Sequence, residues 1–201
     1  MSGKFAKEIR ELLELRGVLV FPELELTDEE QIAFTNTLGT FQPERDGGTV
    51  FKVTLDLKEN PSSAEYLKGS LYWHLDGTMN DVPILASLLS SKKLASSGGN
   101  TGFCSTYAAY EQLPDDKKAE LDGKRVMHSV WATVFYYEPE PSLAKVKAMQ
   151  AIGERELPLV WKHRSGRKSL ILGCTAHRVL DVNPAKSAEL LVGLREWATS
   201  E

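Results

Sequence analysis

Apolar residues recur at helical spacing over residues 4–16, where Phe5, Ile9, Leu12 and Leu13 stand between charged side chains. Gly17 is a natural stop for that helix. Val18 to Phe21 is a short apolar run ended by Pro22, and reads as a buried strand. Thr27-Asp28-Glu29-Glu30 carries the capping-box pattern. It opens a second helix with Ile32, Ala33, Phe34 and Leu38 on it and Gly39 behind it. Residues 49–57 alternate as a half-buried strand does, and the polar stretch 58–70 reads as a loop.

Farther along, the apolar run 83–91 predicts a strand, 96–100 (SSGGN) a turn, and 101–105 a short strand. Residues 105–112 and 115–122 predict two short helices split by Pro114. A strand follows over 124–131. The stretch 132–156 has no clear period, except that 142–152 suits a helix. Residues 157–162 and 168–172 predict a hairpin turning at Ser165-Gly166. Leu190, Leu191, Leu194 and Trp197 place a final helix over 184–198, with Pro184 at its first position. Helices and strands are mixed without a βαβ rhythm. That favours α+β, or a β-sandwich with helical additions, over a doubly wound sheet.

Composition narrows the class. The 201 residues are 42% hydrophobic and 26% charged, a balance that one globular domain can bury into a core. With 24 basic against 28 acidic residues the net charge is −4, which argues against a nucleic-acid surface. No apolar run approaches the roughly 20 residues of a membrane span. The charged start lacks the apolar core of a signal peptide. Two cysteines, Cys104 and Cys174, make no disulfide framework and no zinc spacing. The expectation is a cytoplasmic protein with no membrane partner.

The candidate chemistry lies in Tyr72-Trp73-His74-Leu75-Asp76-Gly77-Thr78. In an extended backbone, residues i and i+2 share a face, so His74 and Asp76 present an imidazole and a carboxylate side by side. Those are two groups of the two-histidine, one-carboxylate triad that leaves iron(II) open positions. A surface ion pair is the plain alternative for the same tripeptide.

Downstream come Ser97-Gly98-Gly99-Asn100-Thr101-Gly102-Phe103-Cys104 and Tyr107-Ala108-Ala109-Tyr110-Glu111-Gln112-Leu113-Pro114. Arg125-Val126-Met127-His128-Ser129 follows, then Leu157-Pro158-Leu159-Val160 with His163, Gly166, Arg167 and Lys168. In order and spacing, from about residue 16 onward, this text resembles the taurine dioxygenase-like (TauD/TfdA) family of iron(II)- and 2-oxoglutarate-dependent dioxygenases. The resemblance implies a double-stranded β-helix (jelly roll, cupin-like) with a mainly β core and flanking helices. It implies His74 and Asp76 as catalytic iron ligands and Thr101 as the hydroxyl that binds a carboxylate of 2-oxoglutarate. Gly98 and Gly99 match the family's tight turn; Asn100 stands where the family often has an acid. A small organic substrate of the family's often anionic kind and molecular oxygen are the implied partners, and a homo-oligomer stays open.

The other histidines, His128, His163 and His177, read as packed or hydrogen-bonded side chains. Cys104 reads as a small hydrophobe. Phe135-Tyr136-Tyr137 suits a pocket wall or a packed lid equally. Arg45, Lys52 and Lys68 are cations that could meet an anionic substrate, though a solvated surface suits each better.

The family pattern continues past the helix at 184–198 into strands with a second histidine ligand and an oxoglutarate-binding arginine, which these 201 residues do not contain. The expectation is therefore one dioxygenase domain over 1–201 without the family's C-terminal part. Further sequence beyond Glu201, strands supplied by another chain, and a relative that no longer uses iron all stay open. The competing reading is a non-catalytic binding or assembly protein on the same fold. A metal hydrolase built on His74 and Asp76 is weaker, since no further ligand cluster accompanies them.

Overall fold

A computed structural model describes residues 2–43, 48–61 and 63–200. Arg45, one of the cations named above, lies outside them. The chain divides into two compact units, one of residues 1–53 with 86–103 and one of residues 54–85 with 104–201.

The first unit is built on helices α1 (Ala6–Arg16) and α2 (Asp28–Leu38). Gly17 closes α1 at φ 76°, donating its N–H to the Leu13 carbonyl. The capping box at Thr27 forms as the sequence predicts: Thr27 Oγ1 accepts from Glu30 N–H, and the Glu30 carboxylate accepts from Thr27 N–H at 2.9 Å. These groups satisfy orphan donors within one turn, so α2 needs no tertiary partner to start. Arg10 donates to the Leu38 carbonyl at 3.0 Å, and Phe34 meets Phe21 edge-on. No described residue of this unit is buried.

The second unit holds the core. The polar stretch before the candidate site is not the loop expected: helix α3 (Ala64–Leu67) and a 3-10 turn (Lys68–Leu71) form there, and Ala64 and Leu67 are buried. Helices α4 (Thr106–Glu111) and α5 (Asp115–Leu121) lead into strand β1 (Arg125–Ser129). Helices α6 (Trp131–Tyr137) and α7 (Leu143–Gln150) come next, then strand β2 (Glu154–Pro158). The expected hairpin is β3 (Val160–Lys162) against β4 (Lys168–Leu170), in register Val160↔Leu170, with Gly166 at φ 86° in its turn. Strand β5 (Ala176–Val179) and helix α8 (Pro184–Thr199) complete the unit. β1 lies between β2 and β5 in an antiparallel three-stranded sheet, with an irregular step at Met127/His128 against β5.

Leu121, Val126, Leu159, Leu170 and Val179 are fully buried, and Leu191 and Leu194 of α8 pack on them. Asn183 caps α8 by accepting from Ala185 N–H, and Pro184 occupies its first turn. Ser187 accepts from Val179 N–H at 2.7 Å, which fixes the helix on β5. Trp197 donates to the Ala109 carbonyl at 2.8 Å and holds its far end against α4.

The α+β content is as expected; the mainly β core is not. Among the described residues no ladder forms over 18–21, 49–57, 83–91 or 101–105, and helix exceeds strand. Val20, Val53, Leu55, Leu85 and Leu89 are exposed. Alternation marks a segment that fits a sheet, but a strand exists only when another supplies its ladder. Trp131, expected as the last residue of a strand, instead opens α6, in which Ala132, Thr133 and Val134 are buried.

His128 is completely buried on β1, and burial pushes its imidazole down to about 4, with His177 adding to the effect. The unfolded chain takes up a proton near 6.5 while the native imidazole stays neutral until about 4. Stability is therefore lost as pH falls through that window, by up to about 3 kcal/mol. Urea unfolding between pH 7 and 4 will show a steeper loss in the wild type than in His128→Asn. Parallel curves for the two proteins would contradict this.

Candidate functional site

The 3-10 turn ends at Leu71, and Tyr72 turns extended at φ −109°, ψ 155°. Tyr72 donates its hydroxyl to the Tyr136 carbonyl at 2.7 Å, and the two rings lie 5.1 Å apart, so the segment enters the site fixed on α6. The Trp73 carbonyl accepts from Cys174 N–H at 2.8 Å.

His74 Nδ1 lies 2.7 Å from the Tyr72 carbonyl oxygen. A carbonyl only accepts, so Nδ1 carries the proton and Nε2 keeps its lone pair whenever the ring is neutral. That Nε2 lies 3.4 Å from Asp76 Oδ1. The side chains are 35% and 53% exposed, which leaves both reachable from solvent. The carboxylate beside it raises the His74 pKa above its ordinary value, with the Tyr72 carbonyl assisting and partial burial opposing. The same-face relation expected of positions i and i+2 is thus present, although the segment joins no ladder and Asp76 begins a turn.

That turn is built around Gly77 at φ 71°, and Asn80 N–H donates to its carbonyl at 2.9 Å. Thr78 is buried, its hydroxyl 3.3 Å from that of Thr175. Thr175 in turn lies 2.9 Å from Nδ1 of His128. Arg155 on β2 donates to the Asp81 carboxylate at 2.7 Å and to its carbonyl at 3.2 Å, clamping the end of the loop.

Thr101 lies in the first unit, exposed and outside any ladder; Gly98 and Gly99 before it take φ 70° and 74°, the left-handed turn expected. His163 Nε2 lies 2.8 Å from the Ser169 hydroxyl and its ring stacks near Tyr107. His177 packs against Trp131, 3.4 Å from the Glu154 carboxylate. Lys68 pairs with Glu65. Among the described residues no group of three His, Cys, Asp or Glu converges on a point. His74 Nε2 beside the Asp76 carboxylate is an imidazole with an oxygen anion, a pairing whose chemistry suits iron(II) as part of a ligand set. The sequence reading missed Cys174, Thr175, Asp81 and Arg155 as supports of the loop, because nothing local in their neighbourhoods marks a contact with residues 73–81.

Comparison with known proteins places these motifs. The family model described as taurine catabolism dioxygenase TauD, TfdA family matches residues 2–201. The (S)-phenoxypropionate/alpha-ketoglutarate-dioxygenase of Sphingobium herbicidovorans is 33% identical over 197 residues, covering 90% of this chain and 66% of that protein. The alpha-ketoglutarate-dependent 2,4-dichlorophenoxyacetate dioxygenase of Cupriavidus pinatubonensis is 32% identical, covering 96% of this chain and 72% of its own length. This chain thus spans about two thirds of the length of such relatives. The crystal structure of AAD-2 in complex with Mn(II) and N-oxalylglycine superposes with a TM-score of 0.78 at 27% identity, covering all of this chain and 74% of that one. No helix among the described residues is long and apolar enough to cross a membrane.

The two thiols beside these motifs differ in reach. Cys174 is buried, and burial pushes its pKa up to about 11; Cys104 is exposed. The thiolate is the reactive form. An aromatic disulfide reagent at pH 8 will label Cys104 in the folded chain and leave Cys174 until the protein unfolds. Equal labelling rates would show that the turn between β4 and β5 opens freely.

Proposed function

The chain belongs to the TauD/TfdA family, and from that premise we propose that it works as an iron(II)- and 2-oxoglutarate-dependent dioxygenase on a small organic anion. His74 Nε2 and the Asp76 carboxylate hold the metal. The observation that carries this is the locked imidazole: Tyr72 fixes the proton on Nδ1 and so presents Nε2 beside Asp76. Metal-binding histidines commonly have their second nitrogen tied to a carbonyl or carboxylate in this way. Thr101 donates its hydroxyl to a carboxylate of 2-oxoglutarate, a role supported by its place in the family's motif order. The structure of AAD-2 with Mn(II) and N-oxalylglycine supports the same metal and co-substrate classes.

Bound iron(II) supplies the oxygen chemistry, in which substrate, 2-oxoglutarate and O2 give hydroxylated substrate, succinate and CO2. The protein's own residues orient and hold. Tyr72 keeps the imidazole in the ligating tautomer, and the turn at Gly77 brings the carboxylate back toward it. The half-exposed pair leaves room for ligands from solution. The relatives' names, phenoxypropionate and dichlorophenoxyacetate dioxygenases, favour an aryloxy or similar organic acid as substrate class. We take residues 1–201 as one domain of a double-stranded β-helix in the cytoplasm.

The test is anaerobic titration with iron(II) and 2-oxoglutarate, followed by exposure to oxygen with aryloxy acids present. A charge-transfer absorption and succinate formation are expected, and Asp76→Ala will lower turnover by at least about 100-fold. Unchanged succinate formation in Asp76→Ala would remove the carboxylate from the reading. A folded protein with no absorption change would favour a binding or assembly role, for which the absence of a third donor among the described residues speaks.

A further inference from the structure

Gly173 stands between β4 and β5 at φ +113°, a conformation that side-chain-bearing residues rarely adopt. A Cβ at this position would lie 2.9 Å from His74 Cα, 3.2 Å from the Trp73 carbonyl oxygen and 3.3 Å from the Leu75 nitrogen. All three neighbours are main chain, so no rotamer change relieves the contact. The next residue donates its N–H to Trp73 at 2.8 Å, and Thr175 meets Thr78 through the two hydroxyls. Residues 173–175 therefore touch the loop on both sides of His74 and Asp76. They are themselves anchored to the central strand: Ser129 N–H donates to the Thr175 carbonyl at 2.9 Å, and His128 holds the Thr175 hydroxyl.

We propose that residues 173–175 are a positioning platform for the His74–Asp76 pair, in which Gly173 permits the close approach and Thr175 fixes the turn that follows Asp76. The inference rests on the reading of that pair as metal ligands. No platform residue touches the metal; each acts through the backbone or hydroxyl of the ligand loop. In Gly173→Ala, either the His74 backbone or segment 173–175 must move, and the Cys174–Trp73 hydrogen bond lengthens. Supports of this kind commonly change metal affinity by about 10–100-fold.

Gly153 provides the control. It has φ +97° with nothing within 4 Å of an added Cβ, so Gly153→Ala meets comparable backbone strain without a neighbour to displace. Mn(II) affinity, read from the paramagnetic resonance of the free ion, is measured alongside amide exchange at Cys174 and across 72–78. Gly173→Ala is expected to bind Mn(II) about tenfold or more weakly and to exchange the Cys174 amide correspondingly faster. Gly153→Ala is expected to lower the unfolding midpoint and leave both readouts alone. Thr175→Val is expected to weaken Mn(II) binding several-fold and Thr175→Ser to restore it.

A folded Gly173→Ala with wild-type affinity and wild-type exchange overturns the proposal. Should Gly173→Ala not fold, the Thr175 pair decides, and equal affinities for Thr175→Val and wild type overturn it. Asp76→Ala separates the underlying reading. If that variant binds Mn(II) like the wild type, the metal assignment fails, while amide exchange in Gly173→Ala still decides whether the platform holds the loop.

Discussion

The hydrogen bond from Cys174 N–H to the Trp73 carbonyl is the contact on which the ligand loop depends. Residues 72–81 belong to no sheet, yet four of their carbonyls find partners, each by a different route. The Tyr72 carbonyl takes the His74 ring, Trp73 takes Cys174, Gly77 takes Asn80, and Asp81 takes Arg155. Of these, the bond to Trp73 is the one made beside His74 by a distant segment, the turn between β4 and β5, where Gly173 lets two backbones approach to contact. The loop is thereby as closely determined as a ladder strand, while its side chains are freed from alternation.

The interior behind the loop reflects that task. Where α8 covers the sheet, the core is Leu159, Leu170, Val179, Leu191 and Leu194. Toward the loop stand His128, Thr175 and Thr78 instead, joined through their polar atoms. Among the described residues, Nε2 of His128 and Oγ of Ser129 are buried without a hydrogen-bond partner. A buried polar atom left unpaired costs about 1–3 kcal/mol, so an apolar filling would give a more stable fold. The polar column contributes direction: a hydroxyl contact fixes Thr78 in a way that a leucine in the same space would not.

What the sequence disclosed follows the range of the interactions concerned. The capping box at Thr27, the stop at Gly17, the turn at Gly166 and the Pro184 start of α8 are each satisfied within a few residues, and each forms where expected. His74 and Asp76 are of this kind too, since an i, i+2 relation and a bond from a ring to the carbonyl two residues back are local. The alternating run at 49–57 and the apolar run at 83–91 are not, because such a pattern names a surface but not the strand that must pair with it. β5 is hidden because Ala176-His177-Arg178-Val179 mixes its apolar ends with two polar residues. Gly173 reads locally as a break after an apolar run. Its significance is its distance to His74, and no local pattern records that.

Anchoring through the main chain also separates two demands that metal sites place on a loop. The donors must stay within a few tenths of an ångström of working geometry, while neighbouring side chains meet whatever enters the site. Here the hold on His74 comes from the carbonyls of Tyr72 and Trp73 and from the absent side chain at 173, none of which depends on the side chain at 73 or 75. Trp73 is 41% exposed. On the proposed reading, a substitution there alters the surface beside the His74–Asp76 pair, and a change at 173 or 175 spares that surface and loosens the hold on the pair. Side-chain surface and main-chain anchoring are thus carried by different groups of one loop, so the first can vary while the second stays fixed.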